Sequence, residues 1–141
     1  MRLSKLARQL PTRLVTGGYI LHSGLGKWRI DEEHAAGMQG MAANAFPFLK
    51  RLPPARFARL LSTAEIATGA LLLTPLVPAG VAGAALTAFS AGLLTMYFRT
   101  PGMRKPGSIW PTQAGNGLAK DSWMLGIGLA LLAEDAVAEE A

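Results

Sequence analysis

The stretch from Leu60 to Phe98 constrains this chain more than any other. Its 39 residues contain no Lys or Arg, and its ionisable side chains are Glu65 and Tyr97. Near the middle, Thr74-Pro-Leu-Val-Pro-Ala-Gly80 sets two prolines and a glycine where they break a continuous helix. An apolar arm of about 15–20 residues is left on either side, the length an α-helix needs to cross roughly 30 Å of hydrocarbon. A soluble domain can bury one helix that is apolar all round. Covering every face of two, joined by so tight a turn, is too much for a chain of 141 residues. The stretch reads as a transmembrane helical hairpin.

The remaining composition fits a bilayer. Half of the residues are hydrophobic and 16% are charged, against about 25% in ordinary soluble domains. A net charge of +5 would suit nucleic acid, but the basic residues stand at the ends of apolar runs rather than on one polar face. That is the arrangement expected beside anionic lipid, so the expected partner is the lipid bilayer of a cell membrane, with no nucleic acid. Cysteine is absent, which excludes disulfides, thiolate nucleophiles and Cys-ligated metals. The first apolar run lacks a small-residue cleavage site, so a cleaved signal peptide is not expected.

Residues 1–141 read as one domain, an all-α integral membrane four-helix bundle with spans at about 13–28, 57–75, 78–98 and 118–133. Leu3, Leu6 and Leu10, with Arg2, Lys5, Arg8 and Arg13 between them, suggest a short amphipathic helix on the lipid surface. In the first span, Arg13 and Lys27 reach outward to the interface, and Gly17, Gly18, Gly24 and Gly26 permit close helix approach. The polar interlude Arg29–Arg59 should hold short interfacial helices, since a structureless loop of that length is uncommon. On the third span, Gly80, Ala84, Ala88 and Gly92 recur at steps of four and form a candidate packing ridge. The fourth span carries Lys120 and Asp121 in its first turn and is followed by an acidic tail. Four Lys and Arg lie on the side of the termini and ten on the side of the two long loops. That bias puts the long loops in the cytoplasm, although the four N-terminal basic residues abut the first helix and pull the other way.

Five side chains are candidates for chemistry. Glu65 lies about two turns into the second span, where an ionised carboxylate must face the interior and find a partner. It is either a structural group paired with Lys27 or Lys120, or a carboxylate that handles a proton or a ligand. His22 lies one turn from Gly18 and Gly26, on the face taken to be close-packed and inward. There it is a polar group satisfied in helix packing or a hydrogen-bonding partner for a quinone. Asp121 in a first turn suits the helix dipole, leaving Lys120 free to reach Glu65. With His22 and His34 the only histidines and no metal-binding spacing, no metal site is expected.

Three sets of residues carry a resemblance. Arg13, Gly17, Gly24, Lys27 and Trp28 form the first, and Ala64, Glu65 and Gly69 before Ala-Leu-Leu-Leu form the second. The third is Leu118, Lys120, Asp121, Gly126 and Gly128 before Leu-Ala-Leu-Leu. In this order and spacing, from Arg13 to Leu132, the chain resembles the DoxX family of small four-span membrane proteins. The resemblance implies a membrane bundle that serves as an accessory or anchor subunit of an oxidoreductase complex. That complex would be quinone-linked or concerned with oxidative stress, with quinone as cofactor and protein subunits or further copies of the chain as partners. The residues themselves leave a second function open: a carrier or pore for a small molecule, with Glu65 and His22 lining a cavity at the midplane.

Overall fold

The computed structural model describes the backbone of residues 3–140 and the side chains through residue 137. Arg2 of the basic N-terminal segment therefore lies outside the described residues. The described chain is all-helical, with no strand. Helix α1 is Leu3–Lys27, α2 is Glu32–Ala45, α3 is Pro54–Leu73 and α4 is Ala79–Arg99. A single turn, α5 (Asn116–Ala119), precedes the last long helix, α6 (Ser122–Glu140).

Local chemistry sets these limits. Asp31 caps α2, its carboxylate accepting the His34 N–H at 2.8 Å, and Glu32 and Glu33 follow in the first turn. Phe46-Pro47 ends α2, and the short 3₁₀ turn Pro47–Arg51 follows, held by Gln39 Nε2 donating to the Leu49 and Leu52 carbonyls at 2.8 and 2.6 Å. Proline opens α3 at its first position. The loop between α4 and α5 folds back on itself through an isolated bridge between Arg104 and Pro111, with Gly102 and Gly107 at positive φ making its turns. Tyr97 Oη, donating to the Ile109 carbonyl at 2.6 Å, ties that loop to α4.

Two boundaries differ from the sequence expectation. The surface helix and the short first span are one helix, because α1 runs through Pro11 unbroken. Pro11 and Ala7, whose carbonyl loses its amide partner to the proline, are both exposed, so the gap lies on the outer face. At the other end, the acidic tail extends α6 instead of trailing from it. Glu134 pairs with Arg8 at 2.8 Å and Asp135 lies 3.9 Å from Lys5, so α1's N-terminal basic residues neutralise α6's acidic end.

The four long helices run alternately up and down. α1 packs antiparallel on α3, and α4 antiparallel on α6, with α3 and α4 joined by the tight turn at residues 74–78. The first pair closes on glycine. A Cβ at Gly17 or Gly69 would run into the facing helix, and Ser62 Oγ donates across the contact to the Gly24 carbonyl at 2.6 Å. In the second pair, Gly83 and Gly128 meet backbone to backbone beside Leu131. α2 lies across the end of the bundle where α1 and α4 finish and α3 begins, touching α3 and α4.

The α4 packing face departs from the ridge read in the sequence. Ala79, Ala82, Gly83, Leu86 and Ser90 are buried, whereas Ala84 and Ala88 are exposed and a Cβ at Gly92 would meet nothing. Small residues recur along α4 at several spacings, and periodicity at steps of four selected the wrong one. The contact with α6 follows the row through 79, 83, 86 and 90, with Gly80 against Asp135 at its lower edge.

Arg13 also departs from expectation, because it points inward. Its side chain is 1% exposed. The guanidinium donates to the carbonyls of Leu71, Leu72, Thr74 and Val77 at 2.9–3.0 Å, and to Gln9 Oε1 at 3.3 Å. The last turn of a helix leaves carbonyls without partners, and Thr74-Pro-Leu-Val-Pro offers no side-chain cation of its own. Arg13 reaches over from α1 and supplies the missing donors.

Among the described residues, α4 is the one helix long and apolar enough to cross a membrane. α1 and α3 carry more charge, with Arg56, Arg59 and Glu65 in α3, and α6 ends in acidic residues.

Candidate functional site

A cleft of about 910 Å³ opens on the α2 side of the bundle. Tyr19, Ile20, Ser23 and Lys27 of α1 form one wall, and Phe57, Leu61 and Glu65 of α3 the next. Ala88, Phe89, Gly92, Leu93 and Met96 of α4 face them, and Met38, Met41 and Ala42 of α2 form the roof. Glu33 and His34 stand at the mouth, and Asp121 and Met124 close the side toward α6. The small residues Ala88 and Gly92, read above as a packing ridge, instead leave the space that the cleft occupies. The site is a mainly apolar, ligand-sized concavity with a few converging polar groups.

The polar groups come together because α1 and α3 are antiparallel and close. Lys27, in the last turn of α1, faces the middle of α3, and its Nζ donates to Glu65 Oε1 and Oε2, both at 3.0 Å. Ser23, one turn earlier on the same face, takes a short hydrogen bond from the same Nζ. Glu65 is 5% exposed, so the pairing removes the cost of an isolated buried carboxylate. Asp121 stands beside this pair in the turn between α5 and α6. It is half-buried and close enough for the charges of Glu65 and Lys27 to act on it in opposite senses. At the mouth, His34 Nδ1 lies 2.8 Å from both Asp31 oxygens. Hydrogen bonds from the His34 backbone and ring hold the Asp31 carboxyl below its ordinary pKa.

Of the five sequence-derived candidates, the fold joins Lys27, Glu65 and Asp121 at the cleft and leaves out two. His22 is exposed on the outer face of α1. Its one-turn neighbours Gly18 and Gly26 have open space where a Cβ would stand, because the tight face of α1 runs through Gly17, Ile20 and Gly24. His22 therefore does not line this cleft. Lys120 is exposed, outside the cleft, and does not reach Glu65. Lys120 and Asp121 fall in a turn rather than in the first turn of the last span, and the turn directs them apart.

Sequence reasoning missed Ser23 and the wall made by α2. Ser23 was legible as the residue one turn before Lys27. The α2 wall, with Met38 and Met41, depends on how the interlude folds back over the bundle, which no local pattern records. No group of three or more His, Asp or Glu able to hold a metal is found among the described residues. No known protein family, curated protein or solved structure matches this chain.

Proposed function

We propose that the protein is a multi-pass membrane protein whose cleft receives an amphipathic small molecule from the bilayer. The observation that carries this reading is the cleft itself: about 910 Å³ of mostly apolar space with Lys27, Glu65 and Asp121 gathered at one place in its wall.

The membrane half of the reading has support of its own. In the most apolar window of α4, 28% is buried, whereas the core helix of a soluble protein is covered on all sides. Val15, Tyr19, Leu60, Val81, Trp123 and Leu129 stand half or more exposed on the four long helices, an amount of uncovered apolar surface that suits lipid. Trp28, Trp110 and Trp123 lie toward the α2 end of the bundle, as an aromatic belt at one interface would. α1, α3, α4 and α6 then serve as four spans in the cell membrane, with α2 and the 3₁₀ turn as interfacial elements on the side of the long loops.

A second reading follows from the DoxX resemblance: an accessory or anchor subunit of a membrane oxidoreductase complex, with a quinone in the cleft. The exposed loop bearing Ile109 and Trp110 gives it a surface on which a partner subunit or a second copy could dock. One experiment separates the readings. After an alkaline carbonate wash of the membranes, the tagged protein is purified in mild detergent and its companions are identified. The ligand-binding reading expects the chain in the membrane fraction, recovered without stoichiometric subunits. The accessory reading expects oxidoreductase subunits and quinone to copurify. Release of the chain into the soluble fraction by the wash would overturn both.

A further inference from the structure

The charges of the cleft do not balance, and the imbalance bears on what it can hold. Lys27 is its one Lys or Arg, and His34 at the mouth is engaged by Asp31; against Lys27 stand Glu33, Glu65 and Asp121. An ammonium group has three protons to donate. Ser23 Oγ and the two Glu65 oxygens take all three. A ligand carbonyl, carboxylate or phosphate entering the cleft therefore meets no unengaged lysine or arginine. The Asp121 side chain, in contrast, has no hydrogen-bond or ion-pair partner among the described residues. It is a half-buried carboxylate beside a second carboxylate, the position in which a cation is worth most. The walls favour the same charge. Tyr19, Phe57 and Phe89 contribute aromatic rings, and Met38, Met96 and Met124 contribute polarisable sulfur that adapts to varied apolar shapes.

We propose that the cleft takes a lipophilic organic cation, an amine or onium charge on an apolar body, with the charge seated against Asp121 and the body against the aromatic and methionine walls. This rests on the reading of the cleft as a ligand site and fixes the sign of charge that the ligand carries. A quinone ring needs donors for its carbonyls and makes no use of Asp121, so the two ligand classes are separable by experiment.

The test uses tetraphenylphosphonium and tetraphenylborate, nearly identical in shape and opposite in charge, in equilibrium binding to the full chain in neutral detergent. Tetraphenylphosphonium should bind saturably at one site per chain, and tetraphenylborate at least about tenfold more weakly. Asp121→Asn should weaken tetraphenylphosphonium by about tenfold or more, while Asp121→Glu retains it. Gly92→Phe, grown into the cleft from a position with open space, should abolish binding of any probe. Equal binding of tetraphenylborate, or of neutral decylubiquinone, with sensitivity to Gly92→Phe would overturn the cationic assignment and leave the cleft as a ligand site. Tetraphenylphosphonium binding that ignores Asp121→Asn would overturn it as well. Saturable binding of no probe would overturn both the assignment and the ligand site.

Discussion

Arg13→Met removes the guanidinium that gathers four carbonyls at the α3–α4 turn while keeping a long apolar stem in place. A carbonyl stranded away from water costs about 1–3 kcal/mol. The bond to Leu72 is buried and those to Leu71, Thr74 and Val77 are part-buried. The Thr74 carbonyl still accepts the Val77 N–H at 3.1 Å, so counting Leu72 in full and Leu71 and Val77 at about half gives an expected loss of about 2–6 kcal/mol. For a chain of this length each kcal/mol moves the thermal midpoint by about 2–4 °C, so the midpoint should fall by about 4–24 °C. Helicity followed by circular dichroism on heating in detergent reads this directly. Arg8→Met is the matched control: its pair with Glu134 is exposed and worth about 0–1 kcal/mol. Arg13→Lys should fall between the two, since an ammonium has fewer donors and no planar fork. Equal midpoints for Arg13→Met and Arg8→Met would refute the claim that Arg13 caps the hairpin.

Other substitutions probe the remaining contacts. Gly69→Leu should destabilise by about 1–3 kcal/mol through overpacking against Gly17 and Leu21, whereas Gly18→Leu, facing open space, should be near neutral in the same melts. Glu65→Gln or Lys27→Met alone should each cost about 3 kcal/mol, and the double variant less than the sum, a coupling that a double-mutant cycle measures. Asp31 acts through its charged form, since its folded pKa is depressed. Its stabilisation of the α2 cap is full above the ordinary value of 3.8 and is lost as pH falls below it through the depressed folded value. The protection of the His34 amide, its exchange rate relative to that of an unstructured chain at the same pH, should therefore fall at low pH in the native chain, and Asp31→Asn should flatten that dependence.

The long elements were readable because their causes are local. The run from Leu60 to Phe98, free of Lys and Arg, and the prolines at 75 and 78 are enough to place α3, the turn and α4 within a few residues. The burden on Glu65 to find a cation was likewise legible, since a carboxylate in an apolar helix has few options. The choice of Lys27 over Lys120 was not. It depends on α1 running antiparallel to α3 at glycine-permitted distance, which brings residue 27 level with residue 65. Helix faces were the weakest part of the reading. α1 holds glycines on two sides, and periodicity alone paired His22 with Gly18 and Gly26 when the partner helix had chosen Gly17 and Gly24. Arg13 was misread because an arginine at a helix end has two good uses, reaching out to headgroups or reaching in to orphaned carbonyls. The donor-poor turn at 74–78 decides for the second, and that argument was available from the sequence.

The central claim is that the space beside Lys27, Glu65 and Asp121 is a ligand site within a membrane bundle, and native mass spectrometry of protein released gently from its own membranes tests it most directly. The native chain should carry an adduct of constant mass at about one per chain, in keeping with a single site of this size. Gly92→Phe, folded to the same thermal midpoint, should lose that adduct. An identical adduct on both proteins, or none on either, would contradict the account.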